Sequence, residues 1–268
     1  MPTNADQRES AGRPIAGTGR VLLWQGGSLW IGRGAGRAQM HAHHAIQITL
    51  AMTGSFLMRG EHDAEDTPCR GTVVMPHRRH QFDGCGHAVA VLFVEPETLQ
   101  GRALLARHRD GDVNSLADDL AAALVAPRRA AFEARVDNEA LITAGRDAIA
   151  RLAGPAPAEG GFDARIGRAI DWMRDRLGET ISLQQAAGVA HLSSSRFRHL
   201  FMAQTGISFR AYLLWARMEF AVGAAMAGTS WTMAAQEAGF ADSAHLSRTC
   251  RRMIGLAPAS LVREPASR

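Results

Sequence analysis

The residues of this chain best suited to chemistry are arginines set at helical spacing. Between Ser194 and Thr205, the side chains of Phe197, Leu200, Phe201 and Gln204 recur at i, i+3, i+4 and i+7 on one side of a helix. Ser195, Arg198, His199 and Met202 fall on the other side at the same spacing. A second stretch repeats the arrangement, with Leu246, Cys250 and Met253 facing inward and Ala244, Ser247, Arg248 and Arg251 facing outward. A guanidinium is a planar fork of donors. Held on a helix surface it grips phosphate oxygens, or takes O6 and N7 of guanine bidentately for about 1–3 kcal/mol of discrimination. For one such helix a solvated arginine face is account enough; two in register point to a polyanion.

The elements that position these side chains form a repeat. The first copy runs Ile181-Ser-Leu-Gln-Gln-Ala-Ala187, through Leu192-Ser193, to Phe197, Phe201 and Gly206. The second runs Trp231-Thr-Met-Ala-Ala235, through Gly239-Phe240, to Leu246, Cys250 and Gly255. Ala187 and Ala235 are 48 positions apart and Gly206 and Gly255 are 49 apart, which fits a turn one residue longer in the second copy. Each copy reads as a helix-turn-helix. Two such units can set two reading helices into successive major grooves, about 34 Å apart on one face of a duplex.

Charge follows the same division. The chain has 268 residues and a net charge of +4, and every basic residue is Arg, a usage that a GC-biased genome also produces. From Asp163 onward there are 13 Arg against 8 Asp plus Glu; up to Phe162 there are 17 against 18. A basic module behind a near-neutral one is the footprint of a polyanion bound by one half only. The three cysteines, Cys69, Cys85 and Cys250, form no CxxC pair and suggest no disulfide framework. Residues Met1 to Arg13 are polar, and no apolar run approaches the ~20 residues needed to cross a bilayer. The expectation is a cytoplasmic protein with no membrane partner.

Along the chain, residues 1–14 read as a disordered N-terminus. Residues 15–152 form a first domain, 153–161 a Pro- and Gly-rich linker, and 162–268 a helical second domain. Within the first domain, Gly19–Trp24, Gly27–Ile31, Ile46–Leu50, Ser55–Met58, Thr72–Met75 and Ala88–Val94 read as short strands of a β-sandwich or barrel. Helices are expected over Glu97–Arg107, Asn114–Val125 and Arg128–Leu152. The fold class is α+β.

Taken together, the motifs resemble the AraC/XylS family of bacterial transcription regulators over about residues 163–263. The resemblance is carried by Ile181-Ser-Leu, Ala187, Leu192-Ser193, Phe197, Leu200-Phe201 and Gly206, then Arg217-Met218 and Ala221, then Gly239-Phe240, Asp242-Ser243, Ser247-Arg248, Gly255 and Pro258. It implies that Ser208–Met226 bridges the two units, with Phe209, Leu213, Ala216, Phe220, Ala221 and Ala224 as its buried stripe and Arg217 at the bridging helix's usual Arg position. It places base contacts on Ser195, Arg198 and His199, and on Ser243, Ala244, Ser247 and Arg248; Arg251, nearer the end of the second helix, is by its position expected to contact phosphate. The chain departs from the family pattern at Leu246, Cys250 and Val262, where larger aromatics are usual, and at His191, a turn position that favours Gly.

The first domain resembles a cupin. Gly36-x4-His41-x-His43-His44-x2-Gln47, continuing to Gly54, is similar to the first cupin motif, and Gly71-x4-Pro76-x3-His80 to the second. The resemblance implies an N-terminal cupin-like β-barrel with packed helices that senses a ligand, with His41, His43, Gln47 and His80 lining the pocket. Trp24, Trp30, Phe56, Phe82 and Phe93 read as core, and Cys85-Gly-His87 as an exposed turn. Gln47 stands near the position where metal cupins carry Glu, so no metal or cofactor is expected. The helices of residues 97–152 would cap the barrel, or pair two subunits as in the family. The resulting reading is a non-catalytic regulator that binds double-stranded DNA under control of a small-molecule effector, with RNA polymerase as partner. The alternatives are a metal-dependent cupin enzyme, or a regulator sensing metal through His41, His43 and His80 or redox state through Cys69 and Cys85.

Overall fold

A computed structural model describes residues 16–108, 111, 113–133, 137–155 and 161–263. The expected disordered N-terminus lies outside the described residues, as do 156–160 of the expected linker.

Hairpins build the N-terminal half. Strands β1 (Ala16–Trp24) and β2 (Gly27–Ala35) are joined by Gln25 and Gly26 alone, and Gly26 takes φ 90°, the left-handed conformation such tight turns demand. β3 (Ile46–Ala51), β4 (Phe56–Gly60), β5 (Thr67–Cys69), β6 (Gly71–Val74), β7 (His80–Asp83), β8 (Ala88–Val94) and β9 (Val113–Ser115) follow. With a C-terminal strand, β10 (Leu261–Arg263), two sheets result, ordered β10-β1-β2-β8-β3-β6-β9 and β5-β4-β7. Period-two alternation gives the large sheet two buried faces. One, with Leu29, Ile31, Ile48, Leu50 and Leu92, packs under α1 (Leu99–Arg107), α2 (Asp118–Glu133) and α3 (Asn138–Ala153). On the other face, Val74 and Val89 meet Phe56, Met58 and Phe82 of the small sheet. All six residues of β3 are buried because both of its faces are covered.

The helices differ from their expected bounds. Val113–Ser115 pairs with β6 as an edge strand, so the second helix begins only at Asp118. It then continues through Pro127 to Glu133. Proline removes one backbone donor there, yet Leu124 before it and Phe132 after it are both packed on the sheet, which holds the helix together. The real break precedes Asn138, where Asp137 caps α3 by accepting from the Ala140 amide at 2.8 Å.

The C-terminal half contains α4 (Ala164–Arg174), α5 (Leu183–Val189), α6 (Ser194–Thr205), α7 (Phe209–Ala227), α8 (Trp231–Glu237) and α9 (Ser243–Ile254). A short 3-10 turn (Pro258–Ser260) and strand β10 (Leu261–Arg263) follow. Both repeats are capped alike. Ser182 and Ser230 cap the first helix of each unit, Ser193 and Asp242 the second, and Gly206 and Gly255 end each unit in the left-handed conformation. The extra residue of the second copy falls between Phe240 and its cap Asp242, where the first copy runs directly from Leu192 to Ser193. Among the described residues, no helix is long and apolar enough to cross a membrane.

The two halves share a core. Val21 and Phe93 of the sheet, and Ala45 just before β3, pack with Trp215, Met218, Ala221 and Val222 of α7, Ala234 and Ala235 of α8, and Leu246, Cys250 and Ile254 of α9. β10 joins the large sheet parallel to β1, with Gly17 opposite Leu261 and Gly19 opposite Arg263. The large sheet's inner face is thus covered partly by three strands and partly by the helical half.

Candidate nucleic-acid interface and the buried histidine cluster

The outward residues of the reading helices lie where their spacing placed them. Ser195, Arg198 and His199 on α6 are exposed, as are Ser243, Ala244, Arg248 and Arg251 on α9; Ser247 is half-buried. Their inward partners Phe197, Phe201, Leu246 and Cys250 are fully buried, and Met253 partly so. Each turn needs one left-handed residue: His191 (φ 53°) in the first unit, Gly239 (φ 76°) in the second. Both then donate backbone N–H three residues back, to Gly188 and Gln236.

Arg217 fixes the two units relative to each other. Its guanidinium donates to the carbonyls of Leu177 (2.9 Å), Glu179 (2.6 Å) and Gly239 (3.0 Å), so one side chain ties α7 to the end of the α4 region and to the second unit's turn. The bridging helix departs from its expected stripe. Phe220 is exposed and Ala224 half-buried, while Tyr212, Trp215, Met218 and Glu219 are buried. The expected stripe assumed a helix covered by the two units alone; α7 also packs on β1 and β8.

His41, His43, Gln47 and His80 come together as their motifs implied. Gln47 projects from β3, His80 opens β7, and His41 pairs with His80 through reciprocal backbone bonds of 3.0 and 2.9 Å. The three imidazoles are nearly inaccessible, and one ring nitrogen of each lies within 4.8 Å of the others. Burial, reinforced for His41 and His43 by the neighbouring rings, holds all three neutral: His41 falls to about 3, His80 to about 4 and His43 well below its usual value. Neutral imidazoles are metal ligands, and among the described residues these three are the His, Cys, Asp or Glu side chains grouped closely enough to hold one; Gln47 Oε1 lies 3.0 and 3.2 Å from His43 and His80 Nε2. The cluster does not sit apart from the DNA-reading half. His43 lies against Trp215, with ring centroids 5.8 Å apart, and the Gln39 amide donates to the Gly255 carbonyl at the end of α9.

A second buried polar group was not legible in the motifs. Tyr212 of α7 donates its hydroxyl to Glu97 at 2.5 Å, and Arg174 pairs with Glu95. Burial alone would raise the Glu97 carboxyl, but His44 (3.0 Å) and Tyr212 hold it below the usual range. Ser28 donates to Glu219 at 3.0 Å; there burial wins and the carboxyl is raised. The sequence signal for these contacts is Glu219, the one acid in a helix whose other charged residues are Arg210 and Arg217.

Between the halves lies an apolar cavity of about 120 Å³, walled by Gly17, Gly19, Trp30, Phe82 and Val91 from the sheets and by Met226, Leu256 and Leu261 from the helical half. A smaller one of about 70 Å³ continues it to His41 and Gln47, past Phe93, Ile254 and Leu256. Trp30, Phe82 and Phe93, read from sequence as core, therefore also line these cavities. Cys85 is exposed in its turn, and Cys69, Cys85 and Cys250 are all free thiols.

Comparison with known proteins agrees with the repeat. Residues 186–264 match a family model described as a helix-turn-helix domain. A search of curated protein sequences finds no significant match. Among solved structures, ToxT from Vibrio cholerae O395 superposes with a TM-score of 0.53 at 10% identity, covering 94% of this chain and 96% of that one. ToxT from V. cholerae strain SCE256 with an unsaturated fatty acid bound gives 0.50 at 11% identity, covering 91% and 92%. ToxT from strain O395 bound to a methylnaphthalenyl butenoic acid gives 0.51 at 12%, covering 92% and 97%. The shared fold is a β-rich N-terminal domain followed by a helical one, over nearly the full length of both chains.

Proposed function

We propose that this chain, whose residues 186–264 form an AraC-type helix-turn-helix DNA-binding domain, is a transcription regulator that reads a specific duplex under the control of a small apolar effector. The observation that carries the effector half is the cavity walled jointly by the sheets and by Met226, Ile254, Leu256 and Leu261. At about 120 Å³ it would suit a benzene-sized guest, well below the roughly 300–1,000 Å³ of ordinary ligand pockets. A guest seated there touches both halves, and a shift of one against the other is its route to the reading helices. The acids carried by two of the similar ToxT structures support an apolar guest.

The reading is of a binder rather than a catalyst, because the three imidazoles are nearly inaccessible and His43 packs against Trp215 of α7. A cytoplasmic location, RNA polymerase as partner and pairing of two copies through α1–α3 belong to the same reading. Selection from a random duplex pool tests it. The full chain is expected to enrich two short motifs about one helical turn apart, and an apolar ligand that binds wild type should lose its effect on DNA affinity in Leu256→Trp, which fills the cavity. No enrichment of any motif would end the proposal.

A further inference from the structure

Where α9 ends against the sheet-rich half, four arginines face one cleft. Arg248, Arg251 and Arg252 of α9 line it on one side and Gln39 and Arg79 on the other, around a space of about 520 Å³. No acid lines it. All four arginines are exposed, and among the described residues Arg248, Arg251 and Arg252 have no acidic partner. Arg79 pairs with Glu61 at 2.6 Å, with both side chains open to water. Such a surface pair is weak, so a stronger oxyanion can displace it. Arg79 is nonetheless held in place by its backbone. The Gln39 amide donates to the Gly255 carbonyl at 3.0 Å, His41 and His80 exchange backbone bonds, and the Arg79 carbonyl accepts from the Glu61 amide at 3.0 Å. This series of bonds fixes the chain at Arg79 beside the end of α9. The first unit has no counterpart: 49 positions earlier, α6 carries Met202 and Ala203 where α9 carries Arg251 and Arg252.

We infer that Arg79, with Arg251 and Arg252, grips backbone phosphates of the duplex that α9 reads, so that the sheet-rich half itself holds DNA beside the second unit. This rests on the DNA-reading role proposed for α9. Guanidinium forks facing one another across a cleft suit phosphate oxygens, which accept from several donors at once. A small phosphorylated molecule offers the same oxygens, and Arg248 decides between the two sources. It stands both in the cleft and on the outward face of the reading helix, so a duplex met by that face brings its backbone to the cleft. Exposed arginines along an open cleft also match a continuous backbone, whereas a small guest is held by enclosure. The arrangement gives the effector a direct handle on affinity: any shift of one half against the other parts Arg79 from Arg251 and Arg252 and divides the grip.

The full chain is titrated against the selected duplex and a scrambled one at several salt concentrations. Arg79→Ala is expected to lower the salt slope by about one on both duplexes, and to weaken both by about three- to tenfold near 0.1 M salt. Arg79→Lys, which keeps the charge, should recover most of the slope. Arg70→Ala removes an exposed arginine of the same half that lines a separate cleft beside α2, and should leave the slope unchanged. Arg79→Gln carries the same test where Arg79→Ala does not fold. An equal loss of slope in Arg70→Ala would reduce the effect to net charge and overturn the contact. An unchanged slope in folded Arg79→Ala, with the slope of Arg251→Ala lowered, sinks this inference and leaves the DNA-reading role standing. Inorganic pyrophosphate is the probe for the other source. Saturable pyrophosphate binding that Arg79→Ala abolishes, with the DNA slope unmoved, would assign the cleft to a small phosphorylated molecule instead. A wild-type chain that binds no duplex ends the regulator reading, and this inference with it.

Discussion

Arg198 and Arg251 are both exposed arginines on reading helices, yet their positions ask different things of them. Arg198 lies in the first half of α6, on the side opposite Phe197 and Phe201, where a helix enters a groove by its N-terminal turns. Arg198→Ala should cost about 1–3 kcal/mol on the selected duplex and relax preference at one base pair. Arg251 lies in the last turn of α9, in a cleft with Gln39, Arg79 and Arg252. Its removal should weaken every sequence alike and lower the salt slope by about one. Affinities on selected and scrambled duplexes across several salt concentrations separate these; equal losses on both for Arg198→Ala would leave it only a phosphate role. The cysteines give a test of the core. Burial pushes the Cys250 thiol up to about 12 and raises Cys69, which is also buried; Cys85, raised by partial burial and by Asp83, is nonetheless exposed in its turn. One thiol per native chain should react with a disulfide reagent at pH 8, and three after denaturation. Because the native Cys250 value lies above that of an unfolded thiol, its contribution to stability is complete below about pH 8.5 and is lost as pH climbs toward 12.

At the scale of elements, the two turns make a controlled comparison. His191 and Gly239 occupy the same left-handed position 48 residues apart, and His191 is exposed. A non-glycine residue there carries about 1–2 kcal/mol of strain, so His191→Gly should raise the midpoint of thermal unfolding by a few degrees, the gain being reduced by glycine's larger unfolded entropy. A fall in the midpoint would mean that the imidazole holds the turn by a contact of its own. Much of this element structure was legible in the sequence. Caps, turn residues and the inward faces of α6 and α9 are local patterns, and local geometry decides them. The motif spacing around His41 and His80 also names four side chains that lie together, because paired strands bring fixed positions together. What was not legible came from partners distant in the chain. Pro127 reads as a break but sits inside α2, since the sheet beneath supports both sides. Phe220 reads as core, yet it faces solvent, while Tyr212 and Glu219 face the sheet half. Strand β10 carries no strand signal and exists only because β1 offers an edge.

At the scale of the whole molecule, the sheet-rich and helical halves are continuous. Sequence divides them near residue 158, but Val21 and Phe93 share a core with Trp215 and Leu246, and the last described strand lies in the first half's sheet. Two domains tethered by a linker would unfold separately; two that share a core should unfold together. Calorimetry of the full chain is therefore expected to give one transition with equal calorimetric and van't Hoff enthalpies. Tyr212→Phe probes the joint without opening a cavity. It removes one hydroxyl that donates to Glu97 and leaves that buried carboxylate short of a partner, a loss of about 1–3 kcal/mol. If the halves are one cooperative unit, the whole transition moves to lower temperature. If they are independent, the endotherm splits, with one component unmoved, and the same split would remove the physical basis for an effector between the halves acting on the reading helices. A single displaced transition in Tyr212→Phe instead means that anything altering the packing around α7, a guest in the cavity included, is felt at α6 and α9.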